Sequence, residues 1–288
     1  MTTLRREIIE RSQEAKKRQR KINLILFLVI VVLTLVLFVQ IFNHPKISIN
    51  RVQIINPSSK LDNKEILTLI GEELKGRYGY FLNKRNYYFY PNEKLRSTIL
   101  TVFPKIKNLD LKRDNNTLKV SIVVREPKYM WCHGAEDFCQ YLDDEGIAIS
   151  LAPKFSGETL LVFSPISTST QVTKLGTSPF QIEDFNKLTN LISELEDNLK
   201  DSPFQVYNIR EVLVLEDGDY KVRLVEPKQK FSPLHINISL KNSNQTTLTY
   251  LKSVLKSPEF KASLNVNLKP LKTLDLRFNQ KVFYEFWE

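Results

Sequence analysis

The longest apolar run of the chain extends from Ile22 to Phe42, and its only polar side chains are Asn23, Thr34 and Gln40. At about 1.5 Å per residue, a helix over this run spans roughly 30 Å, the thickness of the hydrocarbon core of a bilayer. A cleavable export signal has an apolar core of only about 7–15 residues and then a cleavage site of small residues. The sequence VQIFNHPKIS offers no such site. The pattern therefore predicts a retained transmembrane helix over residues 22–42.

Basic side chains are concentrated before this run. Residues 1–21 contain eight Lys or Arg and three Asp or Glu, whereas only Lys46 and Arg51 follow the run closely. Cytoplasmic flanks of membrane helices carry the excess of basic residues. We therefore expect a cytoplasmic tail over residues 1–21, a single-pass type II topology, and an extracytoplasmic location for everything after Phe42.

The apolar spacing after the run predicts a small α+β domain over residues 47–127. ISINRVQIINPSS alternates as a strand. LDNKEILTLIGEEL, with Asp62 as N-cap and Glu65 three residues later, and PNEKLRSTILTVFP have helical spacing. IKNLDLKRDNNTLKVSIVVREP then predicts a hairpin that turns at residues 114–116. The order strand, helix, helix, strand, strand predicts one sheet, including the first strand, with both helices on one face.

Residues 128–288 predict a second, β-rich α+β domain. Strand patterns turn at residues 143–146 and at residues 217–218, and LKTLDLRFNQKVFYEFWE is interpreted as a terminal strand. One helix is predicted in SPFQIEDFNKLTNLISELEDNL, capped by Ser178, and a shorter one over residues 247–255. About 240 residues after the span are enough for two domains.

The net charge of +10 raises the question of nucleic-acid binding. Residues 1–21 alone contribute +5, and the other positive charges are spread thinly over the rest of the chain. A nucleic-acid surface would need a dense Lys/Arg stripe interleaved with aromatic residues, and none is present. A basic tail beside anionic lipid explains the charge better.

The chain contains no recognisable catalytic motif. G-x-S-x-G, H-E-x-x-H, the P-loop and paired C-x-x-C are absent, and the three histidines, His44, His133 and His235, have no metal-ligand spacing. Eight glycines leave little for a phosphate-binding loop. The acidic residues 143–145 beside Gly146 are interpreted as a solvated turn and not as a calcium or acid/base site. We therefore expect neither an enzyme nor a cofactor or metal site.

The two cysteines, Cys132 and Cys139, lie on the predicted extracytoplasmic side, where a disulfide can persist. With His133 and Asp137 they could be drawn as a zinc site, but their spacing matches no common structural zinc pattern. A disulfide that staples a hairpin is the favoured interpretation. Two free thiols in a reducing setting are the alternative.

Three features in sequence order resemble the FtsQ/DivIB family of bacterial cell-division proteins. They are the basic tail with one span, a POTRA-type unit ending in FPKIKNLDLKRDNNTLKVSIVVREPKYMW, and a β-rich domain closing on LKTLDLRFNQKVFYEF. The resemblance covers almost the whole chain. The CHGAEDFC insert and the lack of a glycine after Arg277 and Phe278 depart from the family pattern.

The resemblance implies a non-catalytic scaffold of the divisome, located in the cell membrane at the division septum. Such a scaffold links early and late division proteins and helps to regulate septal peptidoglycan synthesis. It holds FtsB- and FtsL-type bitopic proteins at the end of its β domain. We also expect the sheet of the POTRA-type domain to leave one edge with unpaired backbone groups, where other divisome proteins could dock; the alternative is an edge blunted by its own Lys and Arg. The implied partner-binding residues are Asp275, Arg277, Phe278, Gln280, Val282, Tyr284 and Phe286.

Two further predictions concern this terminal strand. By alternation, one face is shared by Phe278, Val282, Tyr284 and Phe286 if no bulge intervenes between Phe278 and Val282. By its charge, Arg277 could meet an acidic residue of the partner. The alternative is that this face packs against the domain's own core. Two other functions remain open at the level of the sequence: a POTRA-bearing envelope assembly factor and an anchored cell-wall enzyme.

Overall fold

The computed structural model describes residues 2–79, 81–133, 138–153, 160–166, 172–228, 230–266 and 270–288. Its first element is helix α1 (Thr2–Phe42), which contains both the basic tail and the apolar run. The segment Arg18–Phe42 is long and apolar enough to cross a membrane, with a mean hydropathy of 3.3 in its most apolar stretch and none of that stretch buried. The apolar run therefore forms a helix of the length and composition that a membrane span needs, and that helix also extends through the tail.

The chain divides into two compact units, whose borders differ from the predicted ones. The first unit contains Met1–Val102 and Asn108–Val123, and the second contains Phe103–Lys107 and Val124–Glu288. Two ion pairs explain part of this border, because they join Lys107 to Asp144 and Arg125 to Asp143 within the second unit.

The first unit has the predicted order of elements. They are β1 (Arg51–Ile54), α2 (Asn63–Glu73), β2 (Arg77–Tyr78), β3 (Leu82–Asn83), α3 (Asn92–Val102), β4 (Ile106–Asp114) and β5 (Thr117–Val124). The main sheet has the order β1-β5-β4, with β1 parallel to β5, so the expectation that the first strand joins this sheet is confirmed. The short hairpin β2–β3 was not predicted.

Local chemistry explains the boundaries of these elements. The Asp62 carboxylate accepts the backbone N–H groups of Lys64 and Glu65, at 2.9 and 3.2 Å, and so caps α2. Ile66 and Ile70, one helical turn apart, are fully buried. Asn115 takes a φ of +49° in the β4–β5 turn, a conformation that Asn tolerates better than most residues.

Within the residues that the structure describes, the second unit is a nine-stranded mixed sheet with three helices. Its elements are β6 (Tyr129–Cys132), β7 (Phe138–Leu142), β8 (Ala148–Pro153), β9 (Leu161–Pro165), α4 (Ile182–Lys200), β10 (Asn208–Val214), β11 (Tyr220–Val225), β12 (Leu234–Ile238), α5 (Asn244–Lys256), α6 (Pro258–Val266), β13 (Leu271–Asp275) and β14 (Phe283–Phe286). The sheet order is β14-β13-β12-β11-β10-β9-β6-β7-β8. The α+β, sheet-rich class is thus as expected.

Two helix predictions need correction. α4 begins at Ile182 and not next to Ser178, because the Ser178 hydroxyl accepts the N–H of Phe180 in a turn, and the N-cap Gln181 makes no side-chain cap. α5 is longer than predicted because Ser243 caps it, accepting the Thr246 N–H at 3.1 Å. α6 was not predicted.

The main core of the second unit is built from one face of the sheet and the apolar sides of the helices, and a smaller buried cluster contains Met130, Cys139 and Ala152. Phe163 of β9 and Phe185 of α4 are fully buried, with ring centroids 5.4 Å apart. Gly146 has a φ of +75°, and a Cβ there would lie 2.9 Å from the Phe185 ring. This turn therefore requires glycine for both its conformation and its lack of a side chain.

The acidic turn at residues 143–145 corrects the interpretation of a fully solvated loop. Asp143 is completely buried, while Asp144 and Glu145 are about half exposed. The Asp143 carboxylate accepts the N–H groups of Glu145 and Ile147, at 3.0 and 2.8 Å, and pairs with Arg125. Asp143 therefore organises its own turn, as an Asx residue does, and also anchors Arg125 in the second unit.

Cys132 and Cys139 face each other across β6 and β7 and are joined by a disulfide. Their Cα atoms are 4.2 Å apart. Zinc is bound by cysteine thiolates, and the two sulfur atoms of a disulfide are not thiolates. The alternative zinc site is therefore incompatible with the bridge. Of the other two residues considered for zinc, Asp137 lies outside the described residues. His133 is hydrogen-bonded to Gln140, with 3.1 Å between Nε2 and Oε1.

Replacing both cysteines by serine should lower the free energy of unfolding of the second unit. The chain-entropy model gives about 2–3 kcal/mol for so short a loop. Urea unfolding of the double variant, followed by tryptophan fluorescence, measures the loss. Unchanged stability of the double variant, together with two titratable thiols in the oxidised wild type, would show that no bridge forms.

Candidate partner-binding site at the terminal hairpin

The predicted terminal strand is a hairpin. β13 and β14 pair antiparallel, with Leu274 opposite Tyr284 and Asp275 opposite Phe283. A register shift between Leu271 and Thr273 places a bulge in β13. Among the strands that the structure describes, β14 pairs only with β13, so it forms one edge of the nine-stranded sheet.

The hydrogen-bonding pattern shows which backbone groups of β14 point outward. The N–H of Trp287 donates to the carbonyl of Pro270 at 3.1 Å, so the backbone of Trp287 faces the rest of the sheet. Residues of an antiparallel strand alternate in this respect. The N–H and C=O groups of Tyr284 and Phe286 therefore face the open edge, where another strand could pair with them.

The connection between the two strands carries an ion-pair cluster centred on Arg277. The Arg277 guanidinium donates from Nε and Nη2 to Asp275, at 3.0 and 2.8 Å, and from Nη1 to Asp219 at 3.3 Å. Asp217 lies 3.5 Å from Nη1, and Asn237 donates to Asp275 at 3.0 Å. The strand β13 and the β10–β11 turn thus supply three carboxylates to one guanidinium.

Charge and hydrogen bonding in this cluster shift two pKa values. Burial by itself would raise the pKa of Asp275, but hydrogen bonds from Arg277 and Asn237 outweigh burial and hold the pKa below its ordinary value. Hydrogen bonding to Asp275 in turn raises the pKa of Arg277. Because the folded-state pKa of Asp275 is depressed, its stabilising contribution is present above its unfolded pKa and is lost as the pH falls through the folded value.

Arg277 is consequently engaged within the domain. Its side chain is 23% exposed, and its hydrogen bonds go to internal carboxylates. The expectation that Arg277 meets an acidic residue of a partner remains a prediction. Such a contact would have to form in competition with Asp217, Asp219 and Asp275.

The predicted apolar face of four residues does not form. Phe278 lies before β14, separated from it by a turn in which Gln280 has a φ of +59°, so the condition of an unbroken strand is not met. Val282 and Phe286 pack against the core, and Tyr284 touches Phe260 with ring centroids 5.1 Å apart. For Val282 and Phe286 the alternative of core packing is therefore correct.

A different pair of aromatic rings is exposed at this site. Phe278 and Phe283 are 48% and 53% exposed, and their ring centroids lie 5.2 Å apart at right angles. Phe283 was missed by the sequence analysis. The available signal was the alternation along VFYEF, in which Phe283 lies on the face opposite to Val282, Tyr284 and Phe286. Using this signal required the position of the turn before Val282.

Gln280 has a structural role in the turn. Its N–H donates to the hydroxyl of Tyr250 on α5, at 3.1 Å, and that hydroxyl donates to Asn279 at 2.6 Å. An open cleft lies beside the turn. It is lined by Asp217, Asp219, Ser239, Lys241, Asn242, Ser243, Thr246, Arg277, Phe278 and Asn279.

Within the described residues, no group of three or more His, Cys, Asp or Glu side chains is arranged to hold a metal ion. The hairpin offers an open strand edge, two exposed rings and the ion-pair cluster of Arg277, a combination that suits protein recognition.

A scan against models of known protein families finds no match to this chain, and a search of curated proteins finds no significant relative.

Proposed function

We propose that this chain is a non-catalytic, membrane-anchored scaffold of the divisome, of the FtsQ/DivIB type, and that its first exterior unit is a POTRA-type domain. The supporting observation is the order of parts: an apolar N-terminal helix, a strand-helix-helix-strand-strand unit, and a β-rich unit that ends in an open sheet edge. The scaffold acts outside the cytoplasm at the septum and helps to regulate septal peptidoglycan synthesis.

The edge strand β14 supports partner binding by strand addition. Backbone groups of Tyr284 and Phe286 would pair with a strand of an FtsB-type protein, which arrives with an FtsL-type protein. The partner would cover Phe278 and Phe283, which are about half exposed. Aromatic rings that become buried at the centre of an interface contribute a large share of the binding energy. These two residues replace Val282 and Phe286 as the expected side-chain contacts.

The charge of the Arg277 cluster indicates what the partner should carry beside the strand. Three carboxylates surround one guanidinium, which leaves the cluster with excess negative charge, and the Asp217 side chain is 55% exposed. A Lys or Arg of the partner near Asp217 would be attracted. Complementary charge of this kind affects association rate and specificity more than affinity.

The first unit provides a second, independent place for docking of other divisome proteins. Its sheet ends at β1 on one side and at β4 on the other. β4 carries Asp110, Lys112 and Arg113, with Lys112 and Asp110 paired at 2.9 Å, and such charges discourage unspecific pairing at a sheet edge. β1 is therefore the better edge for a partner strand, although it is only four residues long.

Capture from membranes tests the proposed function. The full-length chain, tagged at its cytoplasmic N-terminus and solubilised in detergent, should retain FtsB- and FtsL-type proteins and should keep its first residues uncleaved, because α1 is an anchor. A fluorescent fusion should concentrate at the septum. A mature protein beginning after Phe42, or a chain that neither reaches the septum nor captures these proteins, would contradict the proposal. Cleavage of isolated peptidoglycan by the purified chain would favour the enzyme alternative.

A further inference from the structure

The segment between α2 and α3 has an unusual composition that the proposed function does not explain. From Leu74 to Pro91 it contains seven aromatic and four basic residues and no acidic one. Of the six aromatic residues that the structure describes in this segment, four are exposed, whereas exposed apolar residues on a protein surface are usually scattered singly. The exposed fractions are 63% for Phe81, 61% for Tyr88, 42% for Phe89 and 40% for Tyr78.

Backbone and side-chain contacts hold this segment against the end of α1. The carbonyl of Arg85 accepts the N–H of Ile49, and the N–H of Tyr87 donates to the carbonyl of Ile47, both at 2.8 Å. Asn86 is almost completely buried, and its amide donates to the carbonyl of Phe42, the last residue of α1. The segment is therefore fixed to the residues that immediately follow the apolar helix.

A second asparagine makes the same connection from the other side. The side-chain amide of Asn43 donates to the carbonyl of Phe81, and its oxygen accepts the N–H of Asn83 at 3.1 Å. The Phe42 ring lies 5.5 Å from the Phe89 ring and 6.2 Å from the Tyr88 ring. Phe81, Tyr88 and Phe89, which we call the aromatic patch, thus all lie next to the end of α1, Phe81 through its backbone and the other two through their rings.

The position of the patch decides which surface it can meet. If α1 spans a membrane, Phe42 lies at the boundary of the hydrocarbon, and the interfacial layer beyond it is only about 5–8 Å thick. The rings of Tyr88 and Phe89 lie within that distance of the Phe42 ring, and the backbone of Phe81 is hydrogen-bonded to Asn43, the residue after Phe42. Trp and Tyr are enriched in this layer because they combine an apolar body with a polar group, and Phe is common on the apolar face of segments that lie in it.

The charges of the segment fit the same surface. Lys75 and Arg77 are exposed, and Lys84 and Arg85 are half-buried beside the patch. A Lys or Arg held close to an anionic lipid surface is attracted to it. A protein partner would also accept aromatic rings, but it would have to occupy space that the lipid headgroups already fill beside the end of α1.

We propose that the aromatic patch inserts into the headgroup layer of the membrane that holds α1 and fixes the first unit against the lipid surface. This inference rests on the proposed membrane anchoring by α1 but not on the proposed divisome partners. The lipid recognised is any bilayer surface, with a preference for anionic headgroups that comes from Lys84, Arg85 and their basic neighbours.

Fluorescence quenching by lipids tests the insertion. The full chain with Phe81→Trp is reconstituted into vesicles of phosphatidylcholine and phosphatidylglycerol, with or without bromine on the acyl chains near the headgroup. Emission beyond that of the wild-type chain should shift to the blue and should lose most of its intensity in brominated vesicles. Phe81 is mostly exposed, so the variant should fold.

Val123→Trp is the matched control within the same unit. Val123 is 49% exposed and lies near the end of β5, about 20 Å along the strand from Asn116, whose side chain bonds the carbonyls of Pro45, Lys46 and Ser48. Emission added at Val123 should be insensitive to bromine. Equal quenching at both positions would overturn the proposal, because contact would not be confined to the patch.

Two further outcomes separate this inference from the anchor and from the divisome proposal. A chain that floats with the vesicles but shows no added quenching at Phe81→Trp would overturn insertion while leaving the anchor intact. A chain that does not float would overturn both. When Lys84→Gln/Arg85→Gln is combined with Phe81→Trp, the extra quenching gained on adding phosphatidylglycerol should fall, because only Lys75 and Arg77 remain of the basic residues in this segment. An unchanged gain would refute the role assigned to Lys84 and Arg85. Capture of FtsB-type proteins is measured independently and does not enter this test.

Discussion

Replacing Arg125 by methionine is expected to destabilise the second unit by about 3–5 kcal/mol, the usual cost of removing one partner from a buried ion pair. Asp143 is fully buried and Arg125 is 15% exposed, so the carboxylate left behind would have little access to water. It would keep the N–H groups of Glu145 and Ile147 but would lose its counter-charge. Methionine preserves much of the apolar stem of arginine, so the loss would come mainly from the charge.

Urea unfolding of the detergent-solubilised full chain measures this effect. Trp131 and Trp287, the two tryptophans of the chain, both belong to the second unit, so their fluorescence reports its unfolding. Arg223→Met is the matched control, because Arg223 is 45% exposed and pairs with Glu211 at 3.2 Å, and exposed pairs contribute only about 0–1 kcal/mol.

A second variant separates the charge effect from general disruption. Arg125→Met/Asp143→Asn removes both charges but keeps a side-chain oxygen for the turn, so it should recover much of the lost stability. If Arg125→Met costs no more than Arg223→Met, the buried pair does not stabilise the unit. If the double variant is as unstable as the single one, the loss comes from packing and not from an unpaired carboxylate.

Capture of an FtsB-type partner should depend on the outward N–H of Tyr284. Tyr284→Pro removes this donor at an edge position where proline is tolerated, whereas Tyr284→Ala removes only the ring. We expect the proline variant to bind much more weakly than the alanine variant in quantitative capture from membranes. Equal binding by the two variants would show that β14 does not recruit the partner through its backbone.

The exposed rings provide the side-chain part of the same prediction. Phe283→Ala should weaken capture by about 2 kcal/mol or more, roughly thirtyfold, if the ring lies at the centre of the interface. Phe231→Ala is the control, because Phe231 is 54% exposed and is absent from the hairpin. Thermal unfolding should be the same for both alanine variants, because both rings are largely exposed. Arg277→Glu would not test partner binding cleanly, because a fourth carboxylate in the cluster would itself destabilise the fold.

Much of the fold could be predicted from the sequence because its signals are local. The apolar run before Phe42, the Asp62 cap and the Asp217-Gly218 turn each act over a few residues, and each lies where it was predicted. The site was harder, since it depends on the turn at Gln280, where hydrogen bonds to Tyr250 on a distant helix set the conformation. Two of the three carboxylate partners of Arg277, Asp217 and Asp219, lie some sixty positions earlier in the chain, and periodicity contains no information about such contacts.

The parallel pairing of β1 with β5 has a consequence for the order of folding. Arg51 pairs with Thr117, sixty-six positions later, so the sheet of the first unit cannot close until its last strand has been made. At roughly 5–20 residues per second of synthesis, β1 waits unpaired for about 3–13 s, whereas helices form in about a microsecond or less. Under the proposed topology this delay falls while the chain is crossing the membrane. Chaperones that bind extended apolar segments would therefore find β1 accessible beside the bilayer, and slower translation between residues 54 and 117 would lengthen that exposure.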